Sequence, residues 1–428
     1  MDIADPVPSA PSGLTPAQDL RRALLMLGLW TLYAIWQQWG HWGEDLSALY
    51  IAGHLWQSGQ SALIYAAPPG FFGGAAASWT PVMADLGIAD RIVFPYVYPP
   101  LWAVLVAPLT SVLGPQGFAD AVTLLQVPLL AGSVLLAARL LKPEGMSLQI
   151  WVVIGITGLL ASVQSYLALW HNQPTITVTF LILLALVCLG KDRPVAAGAA
   201  LALAAAIKLT PAAFALIFLI DRQYRALAAF ALIGGALGLL SLALAGIDLH
   251  LTFLGSLRAI RGTALLNAVN VSLLPALLAA GSALGLRTPV DMQSPLVILH
   301  DVPGWLTAGL SLAGVAILAA VLLALKDQPA ALRRGIGVFA TALILALFGP
   351  LGWLHYYLLP LFLVPGLFGL LGRRTAMLLA LAVAIPSFRL AFAGIGSLPW
   401  PVASYLWASL AAWLAVLAAL YLRARHRG

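Results

Sequence analysis

The polar residues of this chain are few and fall mostly in short clusters between apolar runs, so each cluster is a candidate for chemistry. Asp45 stands in His41-Trp42-Gly43-Glu44-Asp45, a few residues beyond an apolar run that ends near Trp39. A carboxylate there is half desolvated, and desolvation over an apolar floor raises basicity, as a general base requires. The same residue also fits as the N-cap of a following helix, and the adjacent Glu44 can exchange roles with it. Lys208 lies in Ala-Ala-Ala-Ile-Lys-Leu-Thr-Pro. A cation within an apolar run costs about 2.5–3.5 kcal/mol on insertion scales, so it belongs against a polar cavity or an anion. A lysine near a helix end can instead snorkel to the interface. Pro211 breaks the helix and Thr210 can serve the freed backbone groups. The N–H groups of the second half-helix would then favour a phosphate or pyrophosphate.

His355-Tyr356-Tyr357 opens an apolar run after Gly349-Pro350-Leu351-Gly352-Trp353. Tyrosine and tryptophan at such a boundary commonly anchor a membrane interface, whereas histidine moves protons or binds phosphate near neutral pH. His171-Asn172-Gln173 before Pro174 reads either as a polar helix entry or as groups that bind sugar hydroxyls. Asn270-Val271-Ser272, Arg258 and Arg261 share one long polar segment and are candidates for sugar or phosphate contact. No Gly-rich phosphate loop, HExxH helix or GxSxG elbow stands in a credible context. One isolated carboxylate makes a poor divalent site, and Cys188 is alone, so neither a metal nor a cofactor is expected.

The elements that must hold these residues follow from composition. Charged residues are 9% of the 428 and hydrophobic residues 62%, against about 25% charged in an ordinary soluble domain. The mean hydropathy is +0.97. Apolar runs recur near the length of a membrane crossing, about 20 residues. Only helices and closed barrels satisfy their backbone in lipid, and unbroken Leu/Ala/Val runs are not alternating barrel strands. The fold class is therefore all-α and polytopic.

The net charge of +7 does not imply nucleic acid. Its cations punctuate the apolar runs in short loops, from Arg21-Arg22 through Lys142, Lys191 and Arg193, to Arg373-Arg374 and Arg423, as the positive-inside rule describes. Spans are expected from about Leu20 to Trp39, then near Phe118–Leu141, Ile150–Ala168, Pro174–Leu189, Leu227–Gly246, Gly304–Leu325, Gly335–Phe348, Tyr356–Leu371, Thr375–Ile395 and Val402–Leu422. Two stretches do not fit a simple crossing. If Tyr98–Leu113 is re-entrant and Val195–Ile220 is a hairpin of two short helices, every basic loop falls inside. About ten full crossings plus one broken hairpin result, with both termini cytoplasmic in a plasma (cell inner) membrane.

Residues 1–19 read as a disordered cytoplasmic tail and residues 20–428 as one transmembrane domain. Residues 41–117 form a first outer loop whose Asp45–Ser58 stretch is an interfacial helix, and residues 247–302 form a second long outer segment. This topology gathers Asp45, His171, Lys208 and His355 on the outer side.

Several of these stretches occur in the order of one family. Asp45 with Tyr50, Gly59 and Tyr65, then Tyr98-Pro99-Pro100-Leu101-Trp102, His171-Asn172-Gln173, Ile207-Lys208-Leu209-Thr210-Pro211, Asn270-Val271-Ser272 and Trp353-Leu354-His355-Tyr356-Tyr357 resemble the polyprenyl-phosphate-sugar-dependent mannosyl- and arabinosyltransferases of glycosyltransferase family 87. The resemblance runs over about residues 20 to 370. It implies a GT-C fold, a catalytic aspartate in the first outer loop, matched here by Asp45, and a polyprenyl-phosphate sugar as donor. On that reading Lys208, His355, Arg258 and Arg261 meet the donor phosphate, while Glu44, Tyr50, His171, Gln173, Asn270 and Tyr356 contact substrate. The expected partners are the donor, a lipid or glycan acceptor and membrane lipids. His171-Asn172-Gln173 departs from the family's more usual Gly-Gln-x-Asn order. A lipid or solute transporter and an O-antigen-ligase-like transferase are the alternatives. Against the first, the spans carry almost no acids to bind a coupling ion.

Overall fold

The computed structural model describes residues 15–68, 74–287, 290–291, 294, 296–300, 302–395 and 401–426. The chain is a bundle of helices, and they begin earlier than expected. Thr15 accepts the Gln18 N–H while the Gln18 side chain returns to the Thr15 N–H, a capping box that starts a helix at Pro16 and carries it to Gln38. The expected tail is thus helical over its last residues, and the remainder lies outside the described residues.

Among the described residues five helices are long and apolar enough to cross a bilayer alone: Pro115–Leu141, Tyr224–Arg261, Gly304–Leu325, Ala330–Phe348 and Ser404–Arg425, of which the second is broken at Gly246 by a left-handed φ of 76°. Other expected crossings are broken rather than continuous. Leu148–Ala161 gives way at Ser162, whose extended backbone and side-chain cap start a new helix, Val163–Trp170. That helix meets Thr175–Gly190 at 116°. The Tyr356–Leu371 run is a series of short turns and helices, with Pro360 in the first turn of Leu358–Leu363 and a 3-10 turn at Pro365 after it. The expected ten crossings are therefore not all single helices. Broken ones persist because protein surrounds them, so their freed backbone groups find partners.

The hairpin at Val195–Ile220 is present. Pro194–Ile207 ends at Lys208, which adopts an extended conformation, and a 3-10 turn over Thr210–Phe214 leads into Ala215–Ile220. Small residues press this hairpin against the next helix. A Cβ on Gly198 would lie 2.5 Å from the Ala226 carbonyl oxygen and 2.6 Å from the Phe230 nitrogen. Close backbone approach of this kind is how helices associate in lipid, where hydrophobicity supplies no drive. Only 11% of the most apolar stretch of Tyr224–Arg261 is buried, so the rest of its surface suits lipid.

The first outer loop builds a small body of its own. Glu44–Gln57 packs on Pro100–Thr110, with Gly53 so close that a Cβ would lie 3.1 to 3.2 Å from Val106 and Ala107. Trp79, Tyr96, Ile51 and Leu55 fill the interior beneath it. The second outer segment is not wholly helical. Ala264–Asn267 and Leu296–Leu299 pair antiparallel, from Ala264 opposite Leu299 to Asn267 opposite Leu296.

Candidate active site

A cavity of about 650 Å³ opens where the outer loop, the hairpin turn and the Trp353–Tyr356 segment meet. Its walls are mostly apolar: Phe94, Pro95, Val178, Ile182, Phe253 and Leu257 among them. Against that wall stand Asp45, His171, Gln173, Thr175, Lys208, Arg261, His355 and Tyr356. Among the described residues that line it, Asp45 is the one carboxylate.

Asp45 does not cap its helix. Gly43 holds the N-cap position without a side-chain bond, and Asp45 sits in the first turn with its side chain turned to Gln173. Local backbone fixes this meeting: Leu46 N–H donates to the His171 carbonyl at 3.3 Å, and a Cβ on Gly43 would lie 2.7 Å from that of Asn172. Asn172 takes a left-handed φ of 48° and is tied by Gln126, Thr123 and the Ala119 carbonyl, which closes the turn. A left-handed backbone suits asparagine better than most residues. Its role is to shape the turn that presents His171 and Gln173.

Gln173 joins the two charged groups. Its Nε2 donates to Asp45 Oδ2, and its Oε1 accepts from Lys208 Nζ at 3.3 Å. Lys208 also donates to Thr175 Oγ1 at 2.7 Å and lies over the Tyr356 ring at 4.7 Å and the Tyr98 ring at 5.9 Å. No carboxylate among the described residues comes within ion-pair distance of it. The ammonium therefore reaches its helix break held by hydroxyl, amide and aromatic faces, and its charge is left for something else in the cavity. His355 is buried beside it, stacked edge-on to Tyr356, and its Nε2 has no hydrogen-bond partner. A buried imidazole nitrogen without a partner is costly unless a ligand supplies one.

On the other side of Asp45, His171 Nδ1 meets Glu44 Oε2 at 3.0 Å. Burial raises the Asp45 carboxyl above its ordinary range, against the pull of His171, Gln173 and Lys208. The His171 imidazole in this close contact holds Glu44 below the usual range. Burial alone would lower His171, but Glu44 and the Asp45 charge outweigh it and raise the imidazole. Two neighbouring carboxyls are thus pushed apart: Glu44 stays ionised in a pair, and Asp45 becomes the basic one.

Four residues expected to touch substrate do not line the cavity: Glu44 is held in its pair with His171, and the other three stand elsewhere. Tyr50 is buried against Phe118, and its hydroxyl donates to the Leu113 carbonyl at 2.7 Å, so it ties the interfacial helix to the loop after Pro100–Thr110. Asn270 is fully buried and works as a clasp. Its Nδ2 donates to Leu265 O at 2.8 Å, and its Oδ1 accepts the Gly352 N–H at 2.7 Å. That clasp, with Leu354 N–H on Val269 O at 2.9 Å, brings the His355 segment up to the outer strands. Arg258 is exposed on the far side of its helix turn, whereas Arg261 reaches the cavity. Thr175 and Tyr98 were missed as groups around Lys208. Thr175 follows the Gln173-Pro174 pair, and a hydroxyl one residue past that turn was the available signal.

The family model of glycosyltransferase family 87 matches residues 96–350, more than half of the chain. The chain belongs to glycosyltransferase family 87. The match takes in His171, Gln173 and Lys208, while Asp45 and His355 flank it. A polyprenol-phosphate-mannose-dependent alpha-(1-2)-phosphatidylinositol mannoside mannosyltransferase of Mycobacterium tuberculosis is 28% identical over 228 residues, 48% of each chain. The chain thus matches about half the length of that curated relative. No solved structure matches. With its several long apolar helices, this family 87 member is a multi-pass membrane protein.

Proposed function

We propose that the chain is a membrane glycosyltransferase that moves a sugar, mannose first among candidates, from a polyprenyl phosphate to a hydroxyl of a lipid or glycan acceptor. The observation that carries this reading is one cavity in which Gln173 links a basic carboxylate, Asp45, to Lys208, a cation with no direct ion pair among the described residues. Family membership and the relative's dependence on polyprenol-phosphate-mannose supply the donor class. The GT-C fold implied by the resemblance is part of the same proposal.

Asp45 takes the proton of the acceptor hydroxyl as that oxygen forms a bond to the anomeric carbon. The bond from the anomeric carbon to the phosphate oxygen breaks, and polyprenyl phosphate leaves with its electron pair. Lys208 meets the growing charge, His355 Nε2 supplies a hydrogen bond, and Arg261 stands at the cavity wall for a second contact. Fixed cations and donors in a water-poor cavity are worth about 3–4 kcal/mol per well-placed donor. Attack opposite the leaving group inverts the anomeric centre. Glu44, His171, Gln173 and Tyr356 shape the sugar side. On this reading the site faces the exterior of the plasma membrane, with the basic loops and both termini inside; the charge pattern supports that orientation.

The test is transfer from radiolabelled polyprenyl-phosphate mannose by the purified chain and by Asp45→Asn. Wild type should transfer label and the variant should lose it by several orders of magnitude while still binding donor. Transfer at the wild-type rate by Asp45→Asn would remove the base.

A further inference from the structure

The Tyr224–Arg261 helix changes character at its break. Gly246 takes φ 76° and ψ 162°, a backbone that only glycine adopts readily, and a Cβ there would meet nothing within 4 Å. Glycine stands at this position for the turn of the backbone and not for packing. At about 1.5 Å per residue, residues 224–245 span roughly 33 Å, so the break falls where one crossing of the hydrocarbon is complete. One side chain stitches the two halves together. His250 Nδ1 lies 2.7 Å from the Gly246 carbonyl oxygen, and its Nε2 lies 2.9 Å from Oγ of the buried Ser241. The carbonyl can only accept, so Nδ1 carries the hydrogen and the Ser241 hydroxyl donates to Nε2.

Beyond the break, residues 247–261 present three faces. Phe253, Leu257 and Ile260 recur at helical spacing along the cavity wall, and Arg261 ends that stripe inside the cavity. On the same side Phe253 packs on Tyr65 of the first outer loop, ring centroids 5.6 Å apart, and Leu249 joins the same apolar cluster. Ile247, Leu251 and Leu254 make a second stripe that is 59%, 57% and 46% exposed, too much apolar surface for water alone to cover. Asp248, Thr252 and Gly255 make the third, also exposed. One face for the cavity, one for lipid and one for water suit a helix lying at the membrane boundary. The segment is therefore the wall between the cavity and the bilayer. It runs from Gly246 to Gly262, its C-cap, and leads into the Ala264–Asn267 strand.

We propose that residues 247–261 are a side gate. The segment rocks between Gly246 and Gly262, away from Tyr65, and lets the prenyl chain of the donor pass from the adjoining leaflet into the cavity; His250 holds it shut. This rests on the glycosyl-transfer reading for the identity of the lipid. Entry from the side avoids drawing a long prenyl chain through water, where each methylene adds to the cost. A chain that slides in along Phe253 and Leu257 also brings its phosphate toward Arg261 and Lys208, which line the same cavity. A fixed wall would serve the packing equally well, but it would need neither a glycine-only turn at the membrane boundary nor a side-chain stitch across it.

The full chain with Cys188→Ala, Tyr65→Cys and Phe253→Cys is placed in lipid vesicles, and a short bifunctional methanethiosulfonate bridges the two thiols. Two diazirine-bearing probes are offered: a polyprenyl phosphate mannose within the vesicle membrane and a geranyl phosphate mannose from water. The rate of covalent capture by light is read for each, before and after bridging. Bridging should slow capture of the long probe about tenfold or more and leave the geranyl probe unchanged, because binding that needs a conformational change is limited by it. Reductant should restore the long probe. His250→Ala, which cuts the stitch and touches no cavity residue, should speed the long probe by roughly threefold or more. Equal slowing of both probes would mean that the bridge spoils the cavity itself, and unchanged capture of the long probe that its chain enters elsewhere; either result overturns the gate. If the double-cysteine chain does not fold, His250→Ala decides alone, and a long-probe rate equal to that of the wild type overturns the gate. A wild type that captures neither probe would remove the lipid-linked donor, and the transfer reading with it.

Discussion

At the residue scale the site depends on how one carboxyl is made more basic than its neighbour. Asp45 is lifted by burial and restrained by His171, Gln173 and Lys208. A general base works deprotonated, so transfer should fall as pH drops through this raised value, above the usual carboxylate range. His171→Gln removes a positive neighbour, and the Asp45 carboxyl then rises further. The acid limb of kcat/KM against pH should therefore move to higher pH; a shift the other way would mean that His171 does not act on Asp45. Lys208 supplies a second test. Lys208→Met leaves a developing phosphate without its ammonium and should cost about 10- to 100-fold in kcat/KM, the worth of about 1.5–3 kcal/mol for a charged hydrogen bond. Lys208→Arg keeps the charge but adds a rigid planar fork to a place shaped for three donors on Thr175, Gln173 and a ring face. It should recover only part of the loss in the same steady-state assay.

At the element scale the cavity exists because helices break, and each break has a cause in sequence. Pro211 stops the hairpin at Lys208, Pro365 sits in the 3-10 turn that divides the run behind His355, and the Ser162 side chain caps a restart. The hairpin holds its place through small residues. Gly198→Val puts a branched side chain within 3 Å of the Ala226 carbonyl and the Phe230 nitrogen, and overpacking of that kind costs about 1–3 kcal/mol. The unfolding midpoint in detergent should fall by several degrees, with the donor KM rising as Lys208 moves. An unchanged midpoint would mean that the hairpin is not packed this tightly. The prolines and the lone lysine were legible in the sequence, and so was the hairpin they make. The clasp was not. Asn270 and Tyr50 have the polar character of ligand-binding residues, and only three-dimensional structure reveals that their hydrogen bonds go to backbone. A polar residue bound for a carbonyl and one bound for a sugar look alike in one dimension. The strand pair was hidden for a related reason, since two four-residue runs distant in sequence carry no pattern of their own.

At the scale of the whole molecule, the proposed reaction needs the Asp45 loop and the basic loops on opposite faces of one membrane. Apolar length made the bilayer legible at once, but it could not count crossings, because a crossing assembled from two short helices gives the hydropathy of neither. Charge is the better guide to sidedness: Arg222, Arg225, Lys326, Arg333 and Arg334 lie in two turns that the positive-inside rule assigns to the inner face, and the buried Asp221 binds both Arg333 and Arg334 at 2.5 to 2.7 Å. That lock fixes the Ala330–Phe348 helix to the hairpin's end and places Arg225 on the same face. Asp90 belongs to the Asp45 loop and is exposed. In a Cys188→Ala background, Asp90→Cys in spheroplasts should react with an impermeant maleimide, whereas Arg225→Cys should react only after permeabilisation. Both side chains are exposed, so accessibility to the reagent reports the membrane face and not burial. Labelling of Arg225→Cys in intact spheroplasts, with Asp90→Cys protected, would turn the molecule over. The cavity would then face the cytoplasm, and the outer-face reaction would lose its donor leaflet.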